Sequence, residues 1–533
     1  MNLMPRCDGT MQIMRRSLVP GTRVPGYLVS SRCDLTHGIK SLPLLPPNIL
    51  SNERPFPVSQ PNSHEPAQVP CASPTPMSQL KKIIEALFEA GGIAYEVGGC
   101  VRDQLLGHAN KDVDIEVFHL DASTLSEILS RFGRVNEVGV SFGVIKLRTR
   151  QGEELDFTMP RRESKVGRGH RGFQVEVDHT LSVAEAALRR DFTMNAIYRN
   201  LHDQTLIDPH GGVADLEQRL LRATSEHFAE DPLRVLRGMQ FAARFDAVMT
   251  SDTLEMCRSL SHEYSSLALE RIWNEWLKWA TRSKRPSNGL QVIRDCGWIE
   301  HYPELAALID VQQDPLWHPE GDVWIHTLHV CDAAAKIADR DQLSDDERVI
   351  LMFAALCHDL GKPATTELID GRWRSPSHAS VGVPLADSLL TRFGCPRHYI
   401  EVIQPLVAEH LVHIQSDASP RTVRRLSVRL GKASMVQLIR LVEADLGGRP
   451  PLPATIPESL LRIMRLAEST KVSHAKPERI VLGRHLLQLG YAPARWFSSI
   501  LERCYEAQLD GVFDDEPNGI EFLKSELDKT PPV

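Results

Sequence analysis

The sequence predicts an α+β protein: a small sheet with helices toward the N-terminal side, then all-α regions to the end. Three observations predict it. Strand-like stretches, short apolar runs or period-two alternation, occur only between about residues 93 and 160. Beyond about residue 250 apolar residues recur at helical spacing, as in LERIWNEWLKWA, with Leu269, Ile272, Trp273, Trp276, Leu277 and Ala280 on one side. Residues 1–77 show neither period; prolines, serines and asparagines dominate them, which predicts a disordered or extended segment.

Composition narrows the function classes. A chain of 533 residues has room for three or four domains. The net charge of −8 excludes a globally basic nucleic-acid binder, so any RNA contact must be a local patch. The ten cysteines form no CxxC pair, which argues against a zinc ribbon or a disulfide framework and for reduced thiols in the cytoplasm. No apolar run reaches the length of a membrane span. The first 50 residues carry Arg6, Arg15, Arg16, Arg23, Arg32 and Lys40 against Asp8 and Asp34. An organelle transit peptide is compatible with that, but no amphipathic Arg face is evident, and a disordered extension or misplaced start is preferred.

Ser78 is the expected cap of the first helix, whose apolar face is Leu80, Ile83, Ile84 and Leu87, closed by Gly91-Gly92. A short apolar run then ends at Val97, Gly98-Gly99 follow, and Val101, Leu105 and Leu106 continue at helical spacing. A glycine turn opening a helix lets backbone N–H groups approach a phosphate. Gly107 and Asn110 break that helix, and Asp112 to Val117 alternates as a half-buried strand does. Period two puts Asp112 and Asp114 on one face, a pair of carboxylates suited to Mg²⁺. A surface turn before a solvated acidic edge is the plain alternative.

Residues 121–132 predict a helix burying Leu125, Ile128, Leu129 and Phe132. VGVSFGVIKLRT and EELDFTMP predict two strands joined by Gln151-Gly152, and Asp156 in the second is a candidate third carboxylate and general base, against an exposed strand Asp. RRESKVGRGHRGF, residues 161–173, predicts a loose basic loop over a phosphate-bearing substrate, or a solvated one. In RRDFTMNAI, Arg189 and Arg190 offer forks to triphosphate oxygens, Asp191 can orient one of them and Asn195 can hydrogen-bond a ribose. Asp208-Pro209 and Gly211-Gly212 predict a turn opening a helix. In EDPLRVLR, Asp231 caps a helix with Pro232 in its first turn, and Asp231, Arg234 and Arg237 fall on one face.

GG, Arg102-Asp103, the DxD of Asp112 and Asp114, RRDFT-NAI and EDxxR together resemble the class II tRNA nucleotidyltransferase and poly(A) polymerase family. The resemblance implies a polymerase-beta-like nucleotidyltransferase head followed by an all-α neck and body. It implies that Asp112 and Asp114 hold Mg²⁺, that Gly98, Gly99, Arg102, Asp103, Arg190, Asp191, Asn195 and Arg237 bind the nucleotide, and that Asp231 and Arg234 read its base. The implied partners are CTP, ATP and the tRNA 3′ end, with neither membrane nor DNA.

A second pattern begins near 317. His318 and Glu320 precede a helix with His326, His358-Asp359 end an apolar helix in HDLGK, and His378, His410 and Asp445 follow on later helices. This resembles the HD phosphohydrolase superfamily. The resemblance implies a metal at His326, His358, Asp359 and Asp445, with His378 and His410 as candidates for a second metal or for phosphate. Imidazole with carboxylate suits Mn²⁺, Ni²⁺, Co²⁺ or Fe²⁺. The expected division is an extension (1–77), a nucleotidyltransferase head (78–200), a helical neck and body (201–304), an all-α HD domain (305–470) and a helical tail (471–533).

The reading is a CCA tRNA nucleotidyltransferase of bacterial type, with an HD domain adding phosphatase or 2′,3′-cyclic phosphodiesterase chemistry. An A-adding enzyme or a poly(A) polymerase is the near alternative. An HD hydrolase with an inactive RNA-binding head is the distant one.

Overall fold

The computed structural model describes residues 76–108, 113–136, 143–165, 173–414 and 418–529. The expected extension therefore lies almost wholly outside the described residues, as do Asp112 and residues 166–172 of the basic stretch.

Helix α1 (Pro76–Glu89) begins before the expected cap Ser78 and buries Ile83, Ile84 and Leu87. Gly91 at φ +86 lets the chain turn into β1 (Ile93–Val97). Helix α2 (Gly99–Leu105) leads to β2 (Asp114–Phe118), and α3 (Ala122–Ser130), capped by Asp121, leads to β3 (Gly133–Asn136). Leu105 and Leu106, expected on the apolar side of α2, are exposed; Val101 alone of the three is buried. Strands β4 (Val144–Thr149) and β5 (Glu154–Thr158) form the expected hairpin.

The seven-stranded sheet runs β3-β4-β5-β2-β1-β8-β9, closed by β8 (Tyr198–Asn200) and β9 (Leu206–Ile207). Only β2 and β5 pair in parallel. Since β2 is the central strand, the half-buried alternation expected of it is corrected: Ile115, Glu116, Val117 and Phe118 are all buried. One face carries Ile115 and Val117 into a core with Leu125, Leu129, Ile145 and Phe157. On the other, Phe118 meets Tyr95 and Tyr198.

The basic stretch expected to be loose starts as a strand. β6 (Arg161–Lys165) pairs with β7 (Phe173–Val177) as a separate antiparallel hairpin. Helix α4 (Val183–Ala187) follows, closed by a Ser182–Glu185 capping box.

The neck contains α5 (Gly212–Glu217), α6 (Leu233–Phe245), α7 (Ser251–Ser259), α8 (Leu269–Arg282), α9 (Pro286–Asp295) and α10 (Pro303–Ala306), with a short parallel pair, β10 (Leu220–Leu221) and β11 (Val248–Met249). The Asp208 carboxylate accepts from Gly212 and Val213 N–H, which fixes the start of α5. On α8, Trp273, Trp276 and Trp279 are buried, whereas Leu269, assigned to that side by period, is exposed.

Next come α11 (Val323–Arg340), α12 (Asp345–Cys357), α13 (Lys362–Thr365), the hairpin of β12 (Glu367–Ile369) and β13 (Arg372–Arg374), α14 (His378–Phe393), α15 (Arg397–Glu409), α16 (Pro420–Arg429), α17 (Met435–Gly447) and α18 (Glu458–Ser469). A single buried cluster runs from Phe192 to Val472, so the neck and these helices share one core. Trp276 stacks on Phe393 at 4.0 Å and Trp273 on Phe353 at 5.6 Å across that junction. The tail, α19 (Gly483–Gln488), α20 (Trp496–Asp510) and α21 (Glu516–Lys529), has its own small core around Leu486, Ile500 and Leu523 and docks through Arg421 and Arg425 on Asp510. No helix among the described residues is long and apolar enough to cross a membrane.

Candidate active sites in the head and among the later helices

Gly98 caps α2 with φ +87, a conformation that strains any other residue. A Cβ there would lie 3.0 Å from the Arg190 guanidinium and 3.8 Å from Asp114 Oδ2. The glycine thus brings the backbone against the cation and the carboxylate that the sequence assigned to one site. Together they border a cavity of about 270 Å³.

A chain of hydrogen bonds forms its wall. Arg244 pairs with Asp103 at 3.2 Å, and Asp103 accepts from Arg102 at 2.7 Å. Arg102 donates to Asn195 Oδ1 at 2.5 Å, and Asn195 Nδ2 donates to Asp191 at 2.9 Å. Asp191 closes the chain on Arg237 at 2.6 Å. The Arg102 guanidinium also lies over the Phe245 ring, 4.6 Å from its centroid. Burial would raise the Asp191 pKa, but Arg237 outweighs it and holds the carboxyl below its ordinary value. The expectation that Asp191 orients an adjacent arginine is corrected: its partner is Arg237, three turns of α6 away in space rather than next in sequence. Asn195 spends both ends of its amide inside the wall.

Arg190 is held from behind by Glu116. The buried Glu116 carboxylate accepts from Arg189 at 2.7 Å, from Tyr198 at 3.1 Å and from Arg190 at 3.4 Å. Burial alone would raise the Glu116 pKa; Arg189 and Arg190 reverse that and hold it low. Sequence reasoning missed Glu116, because an acid in DVDIEV reads as solvent-facing. It missed Gln240, Arg244, Lys278 and Arg282 too, which line the same cavity from α6 and α8. Cations therefore ring the space, against Asp114 and Asp191, which suits a polyanion.

Asp114 and Asp156 are register partners on the parallel strands β2 and β5, so both carboxylates leave one face of the sheet. Asp156 is also engaged by Lys146 at 2.7 Å. Carboxylate oxygens on adjacent strands are a donor set that fits a hard divalent cation.

Asp231, Arg234 and Arg237 share a face by period, but their partners draw them apart. Asp231 accepts from Leu233 N–H and pairs with Arg271 at 2.8 Å. Arg234 donates to the carbonyls of His227 and Arg189, each at 2.6 Å. Only Arg237 of the three borders the cavity.

The second cluster sits among α11–α17. Nδ1 of His358, His378 and His410 each meets a backbone carbonyl (of Ala355, Ser375 and Val407) at 2.7 Å, and Nδ1 of His326 meets Glu320 Oε1 at 2.8 Å. Those contacts turn the Nε2 atoms inward. His326 and His358 Nε2 lie 3.3 Å apart, and His378 and His410 Nε2 lie 3.2 Å apart. Asp445 lies 3.1 Å from His326 Nε2, and Asp359 lies 3.1 Å from His358 and 3.3 Å from His378. Two metal-competent groups result, His326 with His358 and Asp445, and Asp359 with His378 and His410. Imidazole lone pairs turned toward carboxylates, each ring anchored through its other nitrogen, fit transition-metal ligation. Burial, then the neighbouring His358, pushes His410 down to about 3, so its ring is neutral. Lys362 pairs with Asp359 at 2.7 Å, and the whole cluster floors a cavity of about 630 Å³. Sequence reasoning brought together the six ligand candidates but not the roles of Lys362 and Glu320.

Comparison with known proteins agrees with this division. A family model described as the poly A polymerase head domain matches residues 94–222, and an HD domain model matches 323–469. The Multifunctional CCA protein of Xylella fastidiosa (strain M23) is 40% identical over 368 residues, covering 67% of this chain and 84% of that one. Its namesake in Pseudomonas aeruginosa PAO1 is 40% identical over 326 residues, covering 60% and 74%. Among solved structures, the Bacillus stearothermophilus CCA-adding enzyme in complex with CTP superposes with a TM-score of 0.57 at 19% identity, covering 86% of this chain and 99% of that one. The Thermotoga maritima CCA-adding enzyme complexed with tRNA gives 0.54 at 17% identity, covering 85% and 95%. At such identities these two show the fold alone.

Proposed function

The chain belongs to the family of the multifunctional CCA proteins, and from that premise we propose that it is a CCA tRNA nucleotidyltransferase, adding CMP and AMP from CTP and ATP to the tRNA 3′ end. The observation that carries the reading is the cation-ringed cavity between Gly98, Asp114 and α6. In the reaction the terminal 3′ oxygen attacks the α-phosphorus, the α–β bridging bond breaks and pyrophosphate leaves. Arg190, braced by Glu116, and Arg237, braced by Asp191, neutralise triphosphate oxygens, and the Gly98-Gly99 backbone at the start of α2 approaches them. Arg102, Asp103 and Asn195 keep the wall in register for the ribose end. Asp112 and Asp114 hold Mg²⁺, which lowers the pKa of the 3′ hydroxyl and offsets charge on the leaving group. Asp156, beside Asp114 on the sheet, receives the hydroxyl proton. Asp231 and Arg234 read the base, which requires them to exchange their present partners for it.

The neck and body of residues 201–304 hold the acceptor end, and the protein works in the cytoplasm. The HD domain, 305–470, adds metal-dependent hydrolysis of phosphoesters, 2′,3′-cyclic phosphodiesters among them. What supports this second activity is the inward convergence of imidazole nitrogens and carboxylates. His326, His358, Asp359 and Asp445 would hold the metal, with His378 and His410 completing a second position.

The deciding experiment offers purified protein with Mg²⁺ three tRNA transcripts, ending before CCA, after C and after CC, with CTP, ATP or both. Stepwise growth that stops at CCA is the expected result. Growth only of the CC-ended transcript with ATP would make it an A-adding enzyme. Long A ladders would make it a poly(A) polymerase, and no extension would leave only the HD domain as an active site.

A further inference from the structure

The cavity above the imidazole–carboxylate cluster has a second tier and an aromatic mouth that ligation of a metal does not use. Helical period builds the tier. Lys362 follows Asp359 by one turn, His413 follows His410, and Arg449 follows Asp445, and all three line the cavity above those residues. Lys362 is committed to Asp359 and to Gln313 Oε1. His413 Nδ1 and Arg449 Nε are different. Each is a buried polar atom with no hydrogen-bond partner among the described residues. A buried unpaired nitrogen is costly, and a cavity that exposes two such atoms to one space is built to be completed by a ligand with oxygens to offer.

The mouth calls for a different chemistry. Trp317, 61% exposed, and Trp373, 37% exposed, border the same cavity. Trp373 sits on the β12–β13 hairpin, opposite Leu368. That hairpin is inserted between two floor elements. Thr366 Oγ1 at its base donates to the Lys362 carbonyl at 2.8 Å and lies 2.8 Å from Ser375 Oγ, while the Ser375 carbonyl holds His378 Nδ1. The indole is therefore anchored to the floor at both ends of its hairpin. Large aromatic rings left in water cost hydrophobic free energy, and here they flank a cation-bearing pocket rather than an apolar one.

We propose that this is a nucleotide site, in which Trp373 and Trp317 stack the base of a ribonucleotide whose phosphate reaches the floor past Arg449 and His413. The inference rests on the reading of the cluster as a phosphohydrolase and adds to it that the two tryptophans, far from the reacting atoms, set its preference for phosphoesters carrying a base. Stacking of a base on an aromatic side chain is sequence-tolerant, so any of the four bases is accepted.

The test uses the full chain loaded with Ni²⁺ or Mn²⁺ and two substrates with the same reacting ring, 2′,3′-cyclic AMP and glycerol 1,2-cyclic phosphate. Trp373→Ala is expected to raise KM for the nucleotide about tenfold, with kcat within about twofold. KM for the glycerol ester should move less than twofold, and Trp373→Phe should restore the nucleotide KM. Arg449→Met should raise both KM values. CCA addition by each variant reports that it has folded. Equal changes on the two substrates, or none on either, would overturn the proposal. If the wild-type chain hydrolyses neither substrate, the hydrolase reading fails, and the stacking is then read by titrating 2′,3′-cyclic AMP against tryptophan emission. Quenching in the wild type that is lost in Trp373→Ala supports the site, and identical titrations of the two rule it out.

Discussion

Arg348 donates from its guanidinium to the carbonyl of Ser283 at 2.5 Å, crossing from the first turn of α12 to the last residue of α8. Its Nε also serves the Ala280 carbonyl at 3.2 Å. The end of α8 would otherwise present carbonyls without donors in a buried setting. Because α8 also carries Lys278 and Arg282 into the transferase cavity, a residue outside the head and neck holds a wall of the nucleotide site. Arg348→Met should lower stability by about 2–4 kcal/mol, the order expected for orphaning two buried carbonyls. It should also raise KM for CTP and ATP several-fold while leaving hydrolysis at the second cluster in place. Urea unfolding and steady-state kinetics on CC-ended tRNA check both.

Asp114 is the described carboxylate closest to the nucleotide glycines, and replacing it removes charge where the metal and the 3′ oxygen meet. Asp114→Ala is expected to reduce CMP and AMP addition at least 10³-fold, an order set by loss of electrostatic stabilisation. Hydrolysis at the imidazole cluster should stay within twofold. Addition at the wild-type rate would remove Asp114 from the site.

How far the sequence reveals this molecule depends on where each residue's partners lie. Gly98, Arg102 and Asp114 are legible because a strand, a turn and a strand next to one another in the chain make their geometry. Glu116 is hidden, since its period puts it with Asp114 on the polar face, and only the tertiary fold brings Arg189, Arg190 and Tyr198 over it. Lys278 and Arg282 lie on the polar side of a helix whose tryptophans dominate its pattern, and nothing local separates them from solvated charges. Asp231 and Arg234 show the opposite failure. Helical spacing aligns them correctly, yet Arg271 and two backbone carbonyls decide where their side chains end. In the second cluster the ligand residues are legible from HDLGK and the later histidines, whereas Arg449 and His413 acquire meaning only when a cavity is seen between them.

Arg234→Ala separates reading the base from holding the triphosphate. The Arg237–Asp191 pair does not pass through Arg234, so triphosphate contacts survive the change. Discrimination among the four NTPs should fall by an order of magnitude or more, with KM for CTP raised less than fivefold. The carbonyls of His227 and Arg189 lose a donor as well, and a stability loss of about 1–3 kcal/mol accompanies the effect. Unchanged discrimination would assign Arg234 to structure alone.

Glu116 gives the head a defined response to acid. Its folded pKa is held below the unfolded value of about 4.3 by the two arginines, so its contribution is fully present above that value and is lost as pH falls through the lower folded pKa. Glu116→Gln removes the contribution at every pH. The variant should be less stable at pH 7 by about 3–5 kcal/mol, the cost of breaking a buried ion pair. Between pH 5 and about 3 its stability should change less than that of the wild type. Parallel curves for the two proteins in that interval would show that the Glu116 pair is not what the acid removes.

Metal removal tests the second cluster without reference to any substrate. Four Nε2 atoms facing one another and the Asp359 and Asp445 carboxylates leave lone pairs directed at lone pairs, an arrangement that a cation relieves. Dialysis against a chelator should therefore lower Tm, and Ni²⁺ or Mn²⁺ should restore it in a concentration-dependent way, because a ligand that binds only the folded state stabilises it by about 2.7 kcal/mol at a hundredfold excess over Kd. Mg²⁺ should restore much less, since imidazole favours transition metals. His358→Ala should abolish the shift. Extension of tRNA by the chelated protein, resupplied with Mg²⁺ alone, should proceed, since the carboxylates of the head are oxygen donors with no imidazole among them. A Tm indifferent to all these ions would mean that the six residues form a polar core held by hydrogen bonds, and the hydrolase reading would fall with it.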